Sequence, residues 1–140
     1  MRHRFTLVIT TALGLSTGVA WADTPTGIGI ELNAADTIGD ACRLTFVATN
    51  GSANAVDQAV FETVLFSEEG RVTLMTLFDF GALPAGVPRV RQFQIPDISC
   101  NRLGLVLVNG ADTCRVQGVE AEICGTGLST TSRTDIEMKG

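Results

Sequence analysis

The stretch Ala41-Cys42-Arg43-Leu44-Thr45-Phe46-Val47-Ala48-Thr49-Asn50-Gly51 alternates in character residue by residue. Cys42, Leu44, Phe46 and Ala48 fall on one side, and Arg43, Thr45 and Thr49 on the other. Successive side chains of an extended chain point to opposite faces, so a period of two predicts a strand with one side against a core. Asn50-Gly51-Ser52 ends it, because Asn and Gly accept the positive φ that a tight turn requires.

The segments on either side repeat this pattern. Upstream, Gly27 to Asn33 predicts a strand with Ile28, Ile30 and Leu32 on one face, and Asn33 to Asp40 reads as a polar turn. Downstream, Val60, Phe61, Val64, Leu65 and Phe66 fit either an amphipathic helix or a strand buried on both faces. The β-branched and aromatic content of Ala55–Ser67, with Glu68-Glu69-Gly70 directly after it, favours a strand and a hairpin. Arg71 to Phe80 alternates again, with Val72, Leu74, Thr76, Phe78 and Phe80 inward and Arg71, Thr73 and Asp79 outward. Gly81 to Pro88 holds two prolines and two glycines, which makes it a loop. Val90 to Ile95 reads as a strand closed by Pro96, and Leu103 to Val108 as a central strand. Asn109-Gly110 reads as a turn, after which Cys114 to Val119 returns the chain. Short strands between turn signals, with neither a long amphipathic helix nor an internal repeat, predict one all-β domain, an antiparallel β-sandwich of about seven strands. Phe61, Phe66, Phe78, Phe80 and Phe93 are its expected aromatic core, with exposed Trp or Tyr for sugar binding missing.

The first 22 residues are expected to leave. Met1-Arg2-His3-Arg4 is a short basic start, Phe5 to Val19 is apolar, and Ala20-Trp21-Ala22 has the small-x-small pattern of signal peptidase cleavage. Gly14, Gly18 and several threonines dilute the apolar run, which is shorter than the roughly 20 residues a membrane-spanning helix needs. With no lipid-anchor cysteine at the cleavage site, the expectation is a periplasmic or secreted protein without a stable membrane anchor. Residues 23–124 would be the sandwich and 125–140 a polar tail, of which Thr134 to Lys139 has the makings of an edge strand.

Export changes the chemistry that remains. His3 and Trp21 are the only histidine and tryptophan, tyrosine is absent, and Lys139 is the single lysine. Ser-His-Asp or Cys-His catalysis and histidine-based metal sites are therefore excluded from the exported part. Removing Arg2 and Arg4 takes the formal charge from −5 to −7, which argues against nucleic acid as a partner. Three carboxylate pairs remain: Asp36 with Asp40, Glu68 with Glu69, and Glu120 with Glu122. The second sits on an expected hairpin tip, and Asp36 to Asp40 lacks the alternating acidic loop of an EF-hand, so no cofactor or metal is expected.

All four cysteines, Cys42, Cys100, Cys114 and Cys124, lie in the exported part. In an oxidising compartment they read as two disulfides with three possible connectivities. Cys42–Cys100 with Cys114–Cys124 is preferred, since the first joins an early strand to the approach of a late one and the second closes a short loop. Zinc is disfavoured, for there is no CxxC knuckle and no histidine in the exported part.

From Leu44 to Ile95 the chain resembles bacterial immunoglobulin-like domains, CARDB and related extracellular sandwiches. The resemblance rests on the strand ending in Asn50-Gly51, on Glu68-Glu69-Gly70, on Gly81-Ala82-Leu83-Pro84-Ala85-Gly86 and on the strand through Phe93. It implies an immunoglobulin-like fold used as a spacer, an adhesive module or a partner-binding accessory, with no catalytic residues to carry over. The leading expectation is a non-catalytic module that binds another envelope or extracellular protein, with Arg89 and Arg91 on one face of a strand as candidates to grip a carboxylate. The alternatives are an inhibitor of a secreted enzyme using the Cys114–Cys124 loop, a carboxylate-dependent enzyme, and, more remotely, a pilin-type fibre subunit.

Overall fold

The alternation at Ala41–Asn50 becomes strand β2 of an all-β sandwich, with Cys42, Leu44, Phe46 and Ala48 fully buried. The computed structural model describes residues 26–140, so the expected signal and its cleavage after Ala22 lie outside the described residues. The other strands are β1 (Ile28–Ile38), β3 (Val56–Ser67), β4 (Val72–Leu83), β5 (Arg89–Ile95), β6 (Leu103–Val116), β7 (Val119–Glu120), β8 (Ser129–Ser132) and β9 (Glu137–Lys139). A 3-10 turn, Cys100–Arg102, precedes β6. The first sheet has the order β5-β2-β1-β8, and the second runs β4-β3-β6 with β7 and β9 both pairing β6.

Phe46 occupies the centre between the sheets. Its ring lies 5.7–5.9 Å from those of Phe78, Phe80 and Phe93, while Phe78 and Phe93 stack at 4.1 Å across the two sheets. Tilted and edge-on pairs at such distances add to simple area burial. Ile28, Ile30, Leu32, Phe61, Leu65 and Val106 complete the core.

Several expectations are corrected. Both sheets are mixed rather than antiparallel, because β8 runs parallel to β1 and β9 parallel to β6. Among the described residues the strands number nine rather than about seven. Residues 125–140 are no loose tail: β8 and β9 lie within them, and Ile136 and Met138 are buried. The sandwich therefore continues beyond Cys124 to the last strand. Asn33 to Ile38 is not a turn but the second half of β1, which pairs with β2 as far as Ile38↔Ala41 and leaves only Gly39-Asp40 to reverse the chain. Asn109-Gly110 does not reverse it either. β6 passes straight through, held on β3 by Thr63↔Val108 and Glu62↔Gly110, and the turn falls at Gln117-Gly118, both at positive φ. Phe66, expected in the aromatic core, lies on the outer side of the second sheet, and Phe46, not among the expected set, stands in the core instead. Val72 is exposed because β4 carries one extra residue opposite Leu65/Phe66, which shifts the alternation.

Asn50 is the polar hinge of the fold. Fully buried, it donates from Nδ2 to the carbonyls of Asn54 (2.8 Å) and Leu83 (2.9 Å), and its Oδ1 accepts from the Ser52 amide (3.0 Å) and hydroxyl (2.6 Å). Its own carbonyl accepts from Gly86 at 2.8 Å, so the Asn50-Gly51 turn and the Leu83–Gly86 segment are tied together. Asn50→Ala leaves the buried Leu83 carbonyl unpaired, and a loss of about 2–3 kcal/mol is expected, read as a lower urea midpoint at unchanged m-value.

Candidate functional site

The two edges of the sandwich are finished differently. On one side the sheets end in short strands, four residues in β8 and three in β9, which leaves little free backbone. On the other side stand β4, with 12 residues, and β5, with seven. Arg89 and Arg91 both lie on β5 in line with Phe93 and Ile95, opposite Ala48 and Phe46 of β2. Arg91 donates from Nε to the Phe80 carbonyl (2.7 Å), from Nη2 to Ala82 (3.4 Å) and from Nη1 to Val90 (3.0 Å). Its guanidinium thus bridges the open edges of both sheets, and Gly81, at φ +65 between the two β4 acceptors, supplies the bend. Arg89 donates one nitrogen to the Pro88 carbonyl at 3.2 Å.

The outer face of the second sheet carries the feature that the alternation pattern alone did not single out. Met75 and Leu77 of β4 point away from the core and are 58% and 52% exposed, and Val72 is 57% exposed. Register sets Met75 beside Val64 and Leu107, and Val72 beside Phe66 and Leu105. The result is an apolar stripe across β4, β3 and β6 on a surface facing away from the sandwich core. At strand spacings of ~4.8 Å and a same-face repeat of ~6.8 Å it covers roughly 300 Å². Its signal was present in Val72–Phe78: an alternating strand with one wet face should be polar at every second position, and Met75 and Leu77 are not.

The disulfides brace opposite ends. Cys42–Cys100 ties β2 to the 3-10 turn at the end where Leu103 meets Ser67, and Cys114–Cys124 anchors β6 near Ala59 to the chain leading to β8. The pairing is the preferred one. Inside the shorter loop, the Gln117-Gly118 turn presents Val119, which is 68% exposed.

Two clefts flank the Glu68–Gly70 turn. One, of about 510 Å³, is lined by Thr37, Glu68, Asn101, Arg133 and Asp135, and the other, of about 580 Å³, by Asp40, Ser67, Asp97, Ser99 and Arg102. Of the three carboxylate pairs named from sequence, two have one member in an ion pair: Asp36 lies 3.6 Å from Arg43 and Glu120 lies 3.3 Å from Arg115. Among the described residues no three His, Cys, Asp or Glu side chains group as metal ligands.

Glu31 is held below its ordinary carboxylate value, first by the Asn33 amide (2.9 Å) and then by Arg133 (2.9 Å). Glu69 is lowered by its own backbone N–H and by the Ser67 hydroxyl. A depressed folded pKa adds stability that is complete above the unfolded carboxylate pKa and is lost as pH falls through the folded one. Glu31→Gln should therefore lower the urea midpoint slightly at pH 7, and the gap from wild type should narrow and close as pH falls below the ordinary carboxylate range. A gap that persists unchanged in acid would show that the charge on Glu31 contributes nothing.

No protein-family model, curated protein or solved structure matches this chain.

Proposed function

We propose that this is a small exported, non-catalytic β-sandwich, immunoglobulin-like in kind, that acts as an accessory module binding another envelope or extracellular protein. The observation that carries the reading is the apolar stripe on the outside of the second sheet, with Val72, Met75 and Leu77 exposed, Phe66, Leu105 and Leu107 half-buried beside them and Val64 buried between. Solvent-exposed apolar groups gain by leaving water, and a patch of roughly 300 Å² lies in the range where such surfaces serve binding. It is smaller than the ~800 Å² per partner of a standard interface, which suits a reversible accessory contact. The two disulfides fit an oxidising compartment. Arg91, committed to three carbonyls, serves the fold, and Arg89, with one nitrogen so engaged, is the freer of the two to meet a partner's carboxylate. Capture of a single stoichiometric partner from native envelope extract supports the reading, and an empty capture overturns it.

Inhibition of a secreted enzyme is the second reading, favoured by the disulfide-closed loop with Val119 at its tip. A panel of proteases and lysozymes tests it: unchanged activity of every enzyme removes it, and inhibition abolished by Val119→Asp supports it.

A further inference from the structure

We infer that the outer stripe takes a partner's apolar segment that ends in lysine or arginine, with the basic end held by Glu62 and Asp79. This rests on the reading of the stripe as a docking face and names the chemistry of what docks there. Leu77 forms one border of the stripe, and both carboxylates stand beside it. Register sets Glu62 next to Leu77 across β3 and β4. Asp79 follows on the same face of β4, between the buried, inward Phe78 and Phe80. The two acids are diagonal neighbours, roughly 7–8 Å apart, a spacing that one ammonium or guanidinium group can bridge.

Neither carboxylate is used up inside the fold. Glu62 accepts from the Asn109 amide through Oε1, and Asp79 accepts from the Gly81 amide through Oδ1 at 2.8 Å. Oε2 and Oδ2 remain, and neither side chain belongs to an ion pair among the described residues. The cations that β6 and β9 bring to this sheet are already engaged. Lys139, in register with Leu107, lies 3.0 Å from Glu137, and Arg115 lies 3.3 Å from Glu120. Beyond the opposite border of the stripe, Arg71 is outnumbered by Glu68 and Glu69 of the preceding turn. The face is thus apolar in its middle and acidic at its margin, on a chain whose formal charge is −5.

Charge selects the occupant because the apolar area is too small to do so alone. Roughly 300 Å² of stripe is well short of the ~800 Å² per partner of a standard interface. At the rim of such a patch, complementary charge speeds encounter and rejects wrong partners. A segment with acidic flanks is repelled by Glu62 and Asp79, and so is an anionic membrane surface. A segment with a basic end places its apolar side chains on Met75 and Leu77 while its cation meets the two free carboxylate oxygens.

The test is an NMR titration of the isotope-labelled exported chain with two synthetic peptides of leucine and alanine, one ending in a pair of lysines and the other in a pair of glutamates. The lysine peptide should shift the signals of Met75 and Leu77 saturably, and the glutamate peptide should bind at least about tenfold more weakly. Added salt should narrow that difference. Glu62→Gln/Asp79→Asn keeps an oxygen for the Asn109 and Gly81 amides, so the variant should fold as wild type does, by circular dichroism and thermal unfolding. It should lose most of the preference for the lysine peptide. Equal binding of the two peptides at the stripe overturns the charge assignment and leaves the docking face standing. A preference that survives in the double variant does the same. If neither peptide shifts Met75 or Leu77, or if vesicles of anionic lipid shift them instead, the docking face for a protein segment falls as well.

Discussion

Replacing Cys42 and Cys100 together by alanine should destabilise the protein by about 4 kcal/mol and lower Tm by roughly 15 °C. The bond joins positions 58 residues apart, and closing so long a loop removes a large share of the unfolded chain's freedom. Both cysteines are buried and belong to the core, so the lost sulfurs also leave space behind them. Cys114 and Cys124, only 10 apart, close a far smaller loop, and their removal should cost about 3 kcal/mol. The check is calorimetry of the two double variants side by side. A smaller loss for the long loop than for the short one would contradict this account of what the bonds contribute. Against a total of ~5–15 kcal/mol for a domain, either loss is a large fraction.

Phe46→Ala should lower stability by about 3–5 kcal/mol, comparable to loss of the long disulfide. The ring is fully buried, touches three other phenylalanine rings, and sits where β2 faces β4 across the core. Its removal empties the midpoint of the sandwich and also unseats Phe80 and Phe93, which pack on each other at 5.4 Å. Phe46→Leu keeps most of the volume and should retain over half of the lost stability. Urea denaturation of the two variants settles the matter, with equal midpoints for Ala and Leu counting against an aromatic centre at this site.

Local chemistry made the strands with one dry side readable from sequence. At β2 the period of two, the turn after it and the buried set agree residue for residue. At β3 the mixture of both parities signalled a strand apolar on both faces, and the structure gives one face to the core and the other to the outer stripe. The failures have physical causes as well. Asn33 to Ile38 carries few apolar side chains, and its strand form comes from pairing with β2, where Ala35 lies beside Leu44 and Thr37 beside Cys42. Asn109-Gly110 has the composition of a turn, but a long central strand absorbs it as an irregularity in register with β3, where Asn109 donates to Glu62. The real reversal uses Gln117 at φ 51, a residue type that gives no turn signal. Ile136 and Met138, two apart, were the hint that the last residues pair, and a parallel partner in β6 lay outside what a local pattern can name.

The candidate surface was only half readable. Arg89 and Arg91 were seen as two charges on one face, but whether that face looked out or in depends on β5 pairing with β2, a contact more than 40 positions apart in sequence. The stripe on the second sheet likewise needs β4, β3 and β6 brought side by side before Met75, Val64 and Leu107 become neighbours.

The measurement that bears most directly on the central claim is a paired affinity capture from native envelope extract after mild cross-linking. The baits are the exported chain and its Met75→Asp/Leu77→Asp variant, both shown to be folded, and the readout is quantitative mass spectrometry. The account predicts one protein enriched at near-equal amount on wild type and reduced at least about tenfold on the variant, because charge placed in an apolar contact must be desolvated without a partner. Equal recovery on both baits, or nothing enriched on either, would contradict it.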